Sequence, residues 1–245
     1  MVGLERIPSG EASGAAAAAR WARTPLPCAL LVFAPLALTT AAAYLIGQGM
    51  AAAMRYFLLF PFLLYVGANW LVIAVGRPLL GIRGITWRDL GFTRFRLRDA
   101  VLALAAAATG IFIVYPLAGL LAQAVGLEPI RGMSYSLNNP VTILSAILVL
   151  SLAGPLAEDI IFRGFLLGLL RDKLGSPWLA GVIGVLAFTI IHVPYFGWAG
   201  ALFILLWSPL SVGLFLWRKS IYPPLILHVA NNLVAYVIIP VFFRR

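Results

Sequence analysis

The sequence predicts an all-α, multipass transmembrane helical bundle of about seven spans. Three observations carry that expectation. Of 245 residues, 62% are hydrophobic and 11% charged, with a mean hydropathy of +1.00; soluble domains run near ~45–50% apolar and ~25% charged. The apolar residues fall in long uninterrupted runs. The basic residues fall between those runs, mostly on alternate sides. At roughly 20 residues per span, the length holds one membrane domain and leaves no room for a separate soluble catalytic unit.

The elements follow in order. Residues 1–26 read as a disordered, basic cytoplasmic tail with an alanine run at Ala15–Ala19, and residues 27–245 as the integral membrane domain. The first apolar run, Cys28–Ile46, is longer than a signal-peptide core and is followed by further spans, so it reads as a retained helix. Further runs cover Tyr56–Val75, Ala100–Val125, Val141–Leu170, Trp178–Val193, Trp198–Trp217 and Leu225–Phe243. All read as helices, because an unpaired strand edge cannot face lipid. Gly154-Pro155 within the fourth predicts a kink. Trp178, Trp198, Trp217 and Tyr222 near span ends read as interface anchors, and Gly181 and Gly184 as points of close helix packing.

A net charge of +10 would suggest nucleic acid as partner of a soluble protein. Here the positive-inside rule explains it. Thirteen of the 18 Lys and Arg residues lie in the tail and in the loops after the second, fourth and sixth runs, from Arg77 to Arg98, at Arg171 and Lys173, and at Arg218 and Lys219. Only Arg55, Arg131, Arg244 and Arg245 fall on the other side. The expectation is a cell-membrane protein with a cytoplasmic amino terminus and no nucleic-acid partner. The basic loop from Arg77 to Asp99 also carries Ile85, Trp87, Leu90, Phe92, Phe95 and Leu97, a composition that suits an interfacial helix. The single cysteine, Cys28, excludes an internal disulfide.

Three charged residues fall inside an apolar run, Glu158, Asp159 and Arg163, and the two histidines, His192 and His228, lie in later runs. A charge at the bilayer centre costs roughly 2.5–3.5 kcal/mol, so such residues face the bundle interior or water and point to function. Asp159 and Arg163 are spaced i,i+4 with the acid first, the favourable order for an ion pair. Glu158 is rotated by about 100° from Asp159 and remains the spare carboxylate, suited to general-base work. Counted from the inner ends of their runs, near Asp172, Pro177 and Ser220, Glu158 and His192 lie about 21 and 22 Å deep, and His228 and Asn232 about 12 and 18 Å. One layer can therefore hold all four. Such a set suits peptide hydrolysis: Glu158 with His192 to activate water, His228 and the Asn232 amide as oxyanion donors. No serine or cysteine lies in a nucleophile motif, and the His-Glu-x-x-His zinc pattern is absent. Buried Glu, His and Arg also serve proton-coupled transporters, although the paired repeats of such transporters are not seen here.

At these residues the chain resembles the CPBP family of intramembrane proteases (CAAX proteases and bacteriocin-processing enzymes, the Abi group). The Glu-Glu-x-x-x-Arg-Gly motif has its counterpart in Glu158-Asp159-Ile160-Ile161-Phe162-Arg163-Gly164, with Asp159 in place of the second glutamate. Phe188 to His192 matches Phe-x-x-x-His, and His228 to Asn232 matches His-x-x-x-Asn. The similarity covers about Val141–Tyr236, and Trp87–Phe92 also has the look of the family. The resemblance implies a membrane-embedded endopeptidase in which Glu158 and His192 activate water and His228 and Asn232 stabilise the oxyanion. Asp159, Arg163 and Phe188 would support the site. Its substrate would be a membrane-associated peptide or protein, possibly lipidated. A metal-free mechanism is favoured, because zinc held by Glu158, His192 and His228 would leave Asn232 without a role. The rival within the same fold is a non-catalytic scaffold or immunity protein.

Overall fold

The computed structural model describes residues 59–82, 84–128 and 140–242, with side chains from Tyr65 onward. The tail and the expected first span Cys28–Ile46 lie outside them. Among the described residues there is no strand, and the helices are α1 (Leu59–Ile82), α2 (Leu97–Ala124), α3 (Pro140–Leu174), α4 (Pro177–Ile190), α5 (Val193–Arg218) and α6 (Tyr222–Phe242). Five are long and apolar enough to cross a bilayer; α4 is shorter. The chain is an integral membrane bundle.

α3 is the central element, packed against α1, α4 and α6, while α6 also meets α2 and α5. Its middle is buried all round. Every residue from Ala157 to Leu169 is buried, as expected of a helix that sits inside a bundle. The exposed large residues lie instead on outward faces, among them Leu104, Phe112, Leu120, Val182, Leu186 and Ile190, where lipid rather than water accepts them.

The disturbance expected at Gly154-Pro155 takes the form of wide π-turns rather than a break. Residues 146–153 and 160–166 of α3 are π-helical, flanking one α-helical stretch, Gly154–Asp159, that carries both carboxylates. Ser151 caps this widening by donating its hydroxyl to the Ala146 carbonyl at 2.9 Å. Gly154 donates its N–H to the Val149 carbonyl, five residues back. A side chain there would stand 3.3 Å from Val66, so the glycine lets α1 come close.

The run boundaries shift in three places. α1 continues to Ile82, beyond Val75, and brings Arg77 into the helix, its guanidinium 5.0 Å from the Trp87 ring. The fifth run ends as a helix at Ile190, so His192 sits in the turn that follows instead of within the helix. α5 starts at Val193, but Gly197 breaks it with φ 69° and ψ −174°, a conformation reserved for glycine. That break swings the chain from the end of α4 into the long return of α5.

The basic loop is not an interfacial helix. Residues 87–91 form turns and 92–96 have no regular secondary structure. Trp87, Phe95 and Leu97 are exposed, but Ile85 and Leu90 are buried against Ile160, Phe165, Leu169 and Ile221. The Gly91 carbonyl accepts from the Ile221 N–H at 2.9 Å, which pins the loop to the start of α6. Gly164 permits this seat: a Cβ there would lie 2.9 Å from the Leu90 carbonyl oxygen. Gly164→Ala is therefore expected to destabilise the fold by about 1–3 kcal/mol, read as a lower unfolding temperature in detergent. At the same face Arg218 donates to Asp99 at 2.7 Å, joining the end of α5 to the start of α2. Trp178, Trp198 and Trp217 are all exposed at helix ends, as interface anchors should be. Gly181 and Gly184 bring α4 against Val212 and Leu167.

Candidate active site

Three helices and one turn deliver the site. α3 supplies Glu158, Asp159 and Arg163, the α4–α5 turn supplies His192, α6 supplies His228 and Asn232, and α1 supplies Tyr65. All but Asp159 and Arg163 line a cavity of about 220 Å³.

The expected ion pair is present. Arg163 Nη1 lies 3.0 Å from Asp159 Oδ1, and the two side chains are 1% and 0% exposed. The guanidinium also stacks over Phe188, 4.1 Å from its ring centre. Phe188 in turn packs edge-on against Phe162 and touches both imidazoles, with centroids 4.5 Å from His192 and 5.9 Å from His228. Its carbonyl accepts from Nδ1 of His192 at 2.6 Å. A carbonyl only accepts, so this bond fixes the proton on Nδ1 and leaves Nε2 as a free lone pair. That nitrogen faces Glu158, 4.0 Å from Oε2. One water molecule can hydrogen-bond to both groups across such a gap.

His228 sits between the two acids. Its Nε2 is 3.6 Å from Glu158 Oε2 and its Nδ1 is 3.6 Å from Asp159 Oδ1. Successive helical residues point about 100° apart, and the ring spans that angle. Asp159 thus faces α6 as well as Arg163, which the i,i+4 argument alone does not reveal. Trp207 closes the other side of the ring, 5.3 Å away.

Asn232 is placed by a proline. In the π-register of residues 146–153, the N–H of residue 155 would bond the carbonyl of residue 150, but Pro155 has no N–H. The freed Leu150 carbonyl accepts from Asn232 Nδ2 at 2.9 Å instead. The amide keeps a second N–H for another acceptor. Pro155→Ala is expected to restore the competing donor and loosen Asn232. If the amide serves turnover, kcat in a peptide-cleavage assay should fall about fivefold, the worth of a hydrogen bond of about 1 kcal/mol, with membrane insertion unchanged.

The structure therefore brings all seven sequence-predicted residues into one constellation. It adds two that the sequence reading passed over. Tyr65, 6% exposed, lines the cavity with its hydroxyl beside Glu158 and Asn69, and its ring lies 5.4 Å from that of Tyr195. Asn69, one turn along α1, is completely buried. An amide four residues from a tyrosine inside the second apolar run was the available signal. Two isolated uncharged polar residues do not stand out against the charges of the fourth run.

Fold and site together define a class: a polytopic helical membrane protein whose buried carboxylate, two imidazoles and amide meet in a cavity within the bilayer. Residues 140–234 match the family model described as type II CAAX prenyl endopeptidase Rce1-like. This agrees with the CPBP resemblance read from the three motifs, all of which lie inside the matched segment. The match covers under half of the chain and ends two residues after Asn232, leaving α1 and α2 outside. No curated protein and no solved structure is matched by the chain.

Proposed function

We propose that the protein is an intramembrane endopeptidase that hydrolyses a peptide bond of a membrane-associated protein or peptide through water activated by Glu158 and His192. The observation that carries this reading is the pairing of an accepting imidazole nitrogen with a carboxylate 4.0 Å away, both on the cavity wall. Water bound between them loses a proton to Glu158 as its oxygen attacks the carbonyl carbon. The new oxyanion takes hydrogen bonds from Nε2–H of His228 and the second amide N–H of Asn232. Glu158 then returns the proton to the departing amine, and the peptide C–N bond breaks.

Asp159 and Arg163 hold this arrangement without entering it, and Phe188 orients His192 through its carbonyl. The Asn232 amide favours direct activation of water over zinc held by Glu158, His192 and His228. We further propose that the arginine-rich helix ends are cytoplasmic and that the protein resides in the cell membrane.

The test is hydrolysis of an apolar fluorogenic peptide by the purified protein in lipid nanodiscs. Cleavage is expected and should persist after prolonged treatment with a zinc chelator. Loss of activity on chelation, restored by zinc, would transfer the same three side chains to a metal mechanism. Absence of cleavage across a broad peptide library would favour the scaffold reading.

A further inference from the structure

We infer that the cavity opens on the membrane face opposite the arginine-rich helix ends, so that its substrate is an apolar peptide segment presented at the non-cytoplasmic leaflet. The inference rests on the peptidase reading for the word substrate; the direction of opening stands on geometry and charge alone.

The described helices alternate in direction, which defines the two faces. One face holds Ile82, Leu97, Leu174, Pro177, Arg218 and Tyr222, the ends at which Arg88, Arg94, Arg96, Arg98, Arg171, Lys173, Arg218 and Lys219 cluster. The other holds Ala124, Pro140 and Phe242, with Glu128 just beyond α2. The contacts of His228 with Glu158 and Asp159 set a common level for the site, and the cavity wall can be placed from it at 1.5 Å per residue. Beyond Glu158 the wall continues along α3 through Gly154 to Leu150, about 12 Å toward Pro140. Beyond His228 it continues along α6 through Ala235 to Ile239, about 16 Å toward Phe242. Among the described residues, no lining residue of α3 or α6 lies on the basic side of Glu158 and His228. Tyr115, about 27 Å from Leu97, belongs to the same upper part of the wall.

Exposure follows the same axis. Of the described lining residues, only Tyr115, Ala235 and Ile239 are exposed, and all three lie in the upper part. Below the site the way is closed. Arg163 and Asp159 are fully packed, Phe162 and Phe188 cover them, and the seated loop residues Ile85 and Leu90 seal the basic end with Ile221. Water and peptide therefore reach Glu158 past Tyr115 and Ile239. Positive charge is retained on the cytoplasmic side, which puts that mouth on the outer side.

The wall between mouth and carboxylate specifies the chemistry of the occupant. Ile111, Phe196, Phe203 and Tyr115 line it, with Tyr115 and Phe203 packed edge-on at 5.5 Å. Among the described residues, no charged side chain other than Glu158 and the histidines faces the cavity. Apolar side chains flanking the scissile bond fit such a wall; a charged carboxyl terminus arriving from the cytoplasm would have to cross the sealed end.

The experiment uses the full-length protein in intact cells, with Cys28→Ser as background and one cysteine added at Glu128, Ala235 or Arg94. A membrane-impermeant maleimide is applied before and after permeabilisation. Expected is labelling of Glu128→Cys and Ala235→Cys in intact cells and of Arg94→Cys only after permeabilisation, with at least a tenfold difference in rate. Labelling of Arg94→Cys in intact cells, or protection of Ala235→Cys until permeabilisation, overturns the inference. Two single-span reporters, carrying the same apolar cleavable segment at the outer or the inner membrane boundary, are then co-expressed. Cutting of the outer one supports the substrate assignment, and cutting of the inner one overturns it. If labelling follows the expected pattern and neither reporter is cut in any of a set of apolar segments, the direction of opening stands and the peptidase reading fails.

Discussion

Glu158→Gln is expected to lower kcat by at least about a thousandfold while the protein inserts and folds as before. The substitution keeps size and much of the hydrogen-bonding capacity but removes the carboxylate that takes the proton from water in the proposed mechanism. General-base catalysis contributes about 10²–10⁴-fold, and in the proposed mechanism the same carboxylate also returns the proton to the amine, so both steps would suffer. The fold is spared because Glu158 is not the partner of Arg163; Asp159 is, at 3.0 Å. The measurement is single-turnover cleavage beside an unfolding curve for each protein. An unchanged rate would remove Glu158 from the chemistry, and an unfolded variant would assign it to structure.

The second large effect concerns stability. Arg163→Met is expected to destabilise the protein by about 3–5 kcal/mol, because it leaves Asp159 buried without its cation. Both partners are almost wholly inaccessible, at 1% and 0%, so water cannot compensate. The damage should spread, since the guanidinium also lies 4.1 Å from the Phe188 ring, and Phe188 carries the carbonyl that orients His192. The double variant Asp159→Leu with Arg163→Met is expected to recover much of the loss, because removing both charges eliminates the uncompensated one. Denaturant unfolding of the three proteins in one detergent decides this. Equal stability of the single variant and the parent would show that the pair carries little.

Much of this site can be read from residue spacing. The i,i+4 rule identifies Asp159 with Arg163, the 100° step leaves Glu158 apart, and helical rise brings His192, His228 and Asn232 to compatible depths. Hydropathy likewise marks α2, α3 and α6 within a few residues. What escapes the sequence depends on backbone geometry or on long-range contact. Hydropathy extends the fifth run through Val193 and does not register that α4 stops at Ile190 or that Gly197 turns the chain. The amphipathic look of residues 85–97 is compatible with a helix on the membrane surface; the seat offered by Gly164, far away in sequence, makes it a packed turn. The contact of His228 with both carboxylates, and the docking of Asn232 on a carbonyl freed by Pro155, require α3 and α6 to be in place.

The brevity of α4 bears on the surrounding lipid. Fourteen residues rise about 21 Å, well short of a hydrocarbon core near 30 Å. Acyl chains beside Val182, Leu186 and Ile190 must compress to match, at a cost of fractions of a kcal/mol per Å. The headgroup layer at the α4–α5 turn would thereby be drawn down toward His192. A dimple in the leaflet shortens the path that solvent and a passing polypeptide must travel, so the protein reshapes its own solvent where the chemistry is to happen.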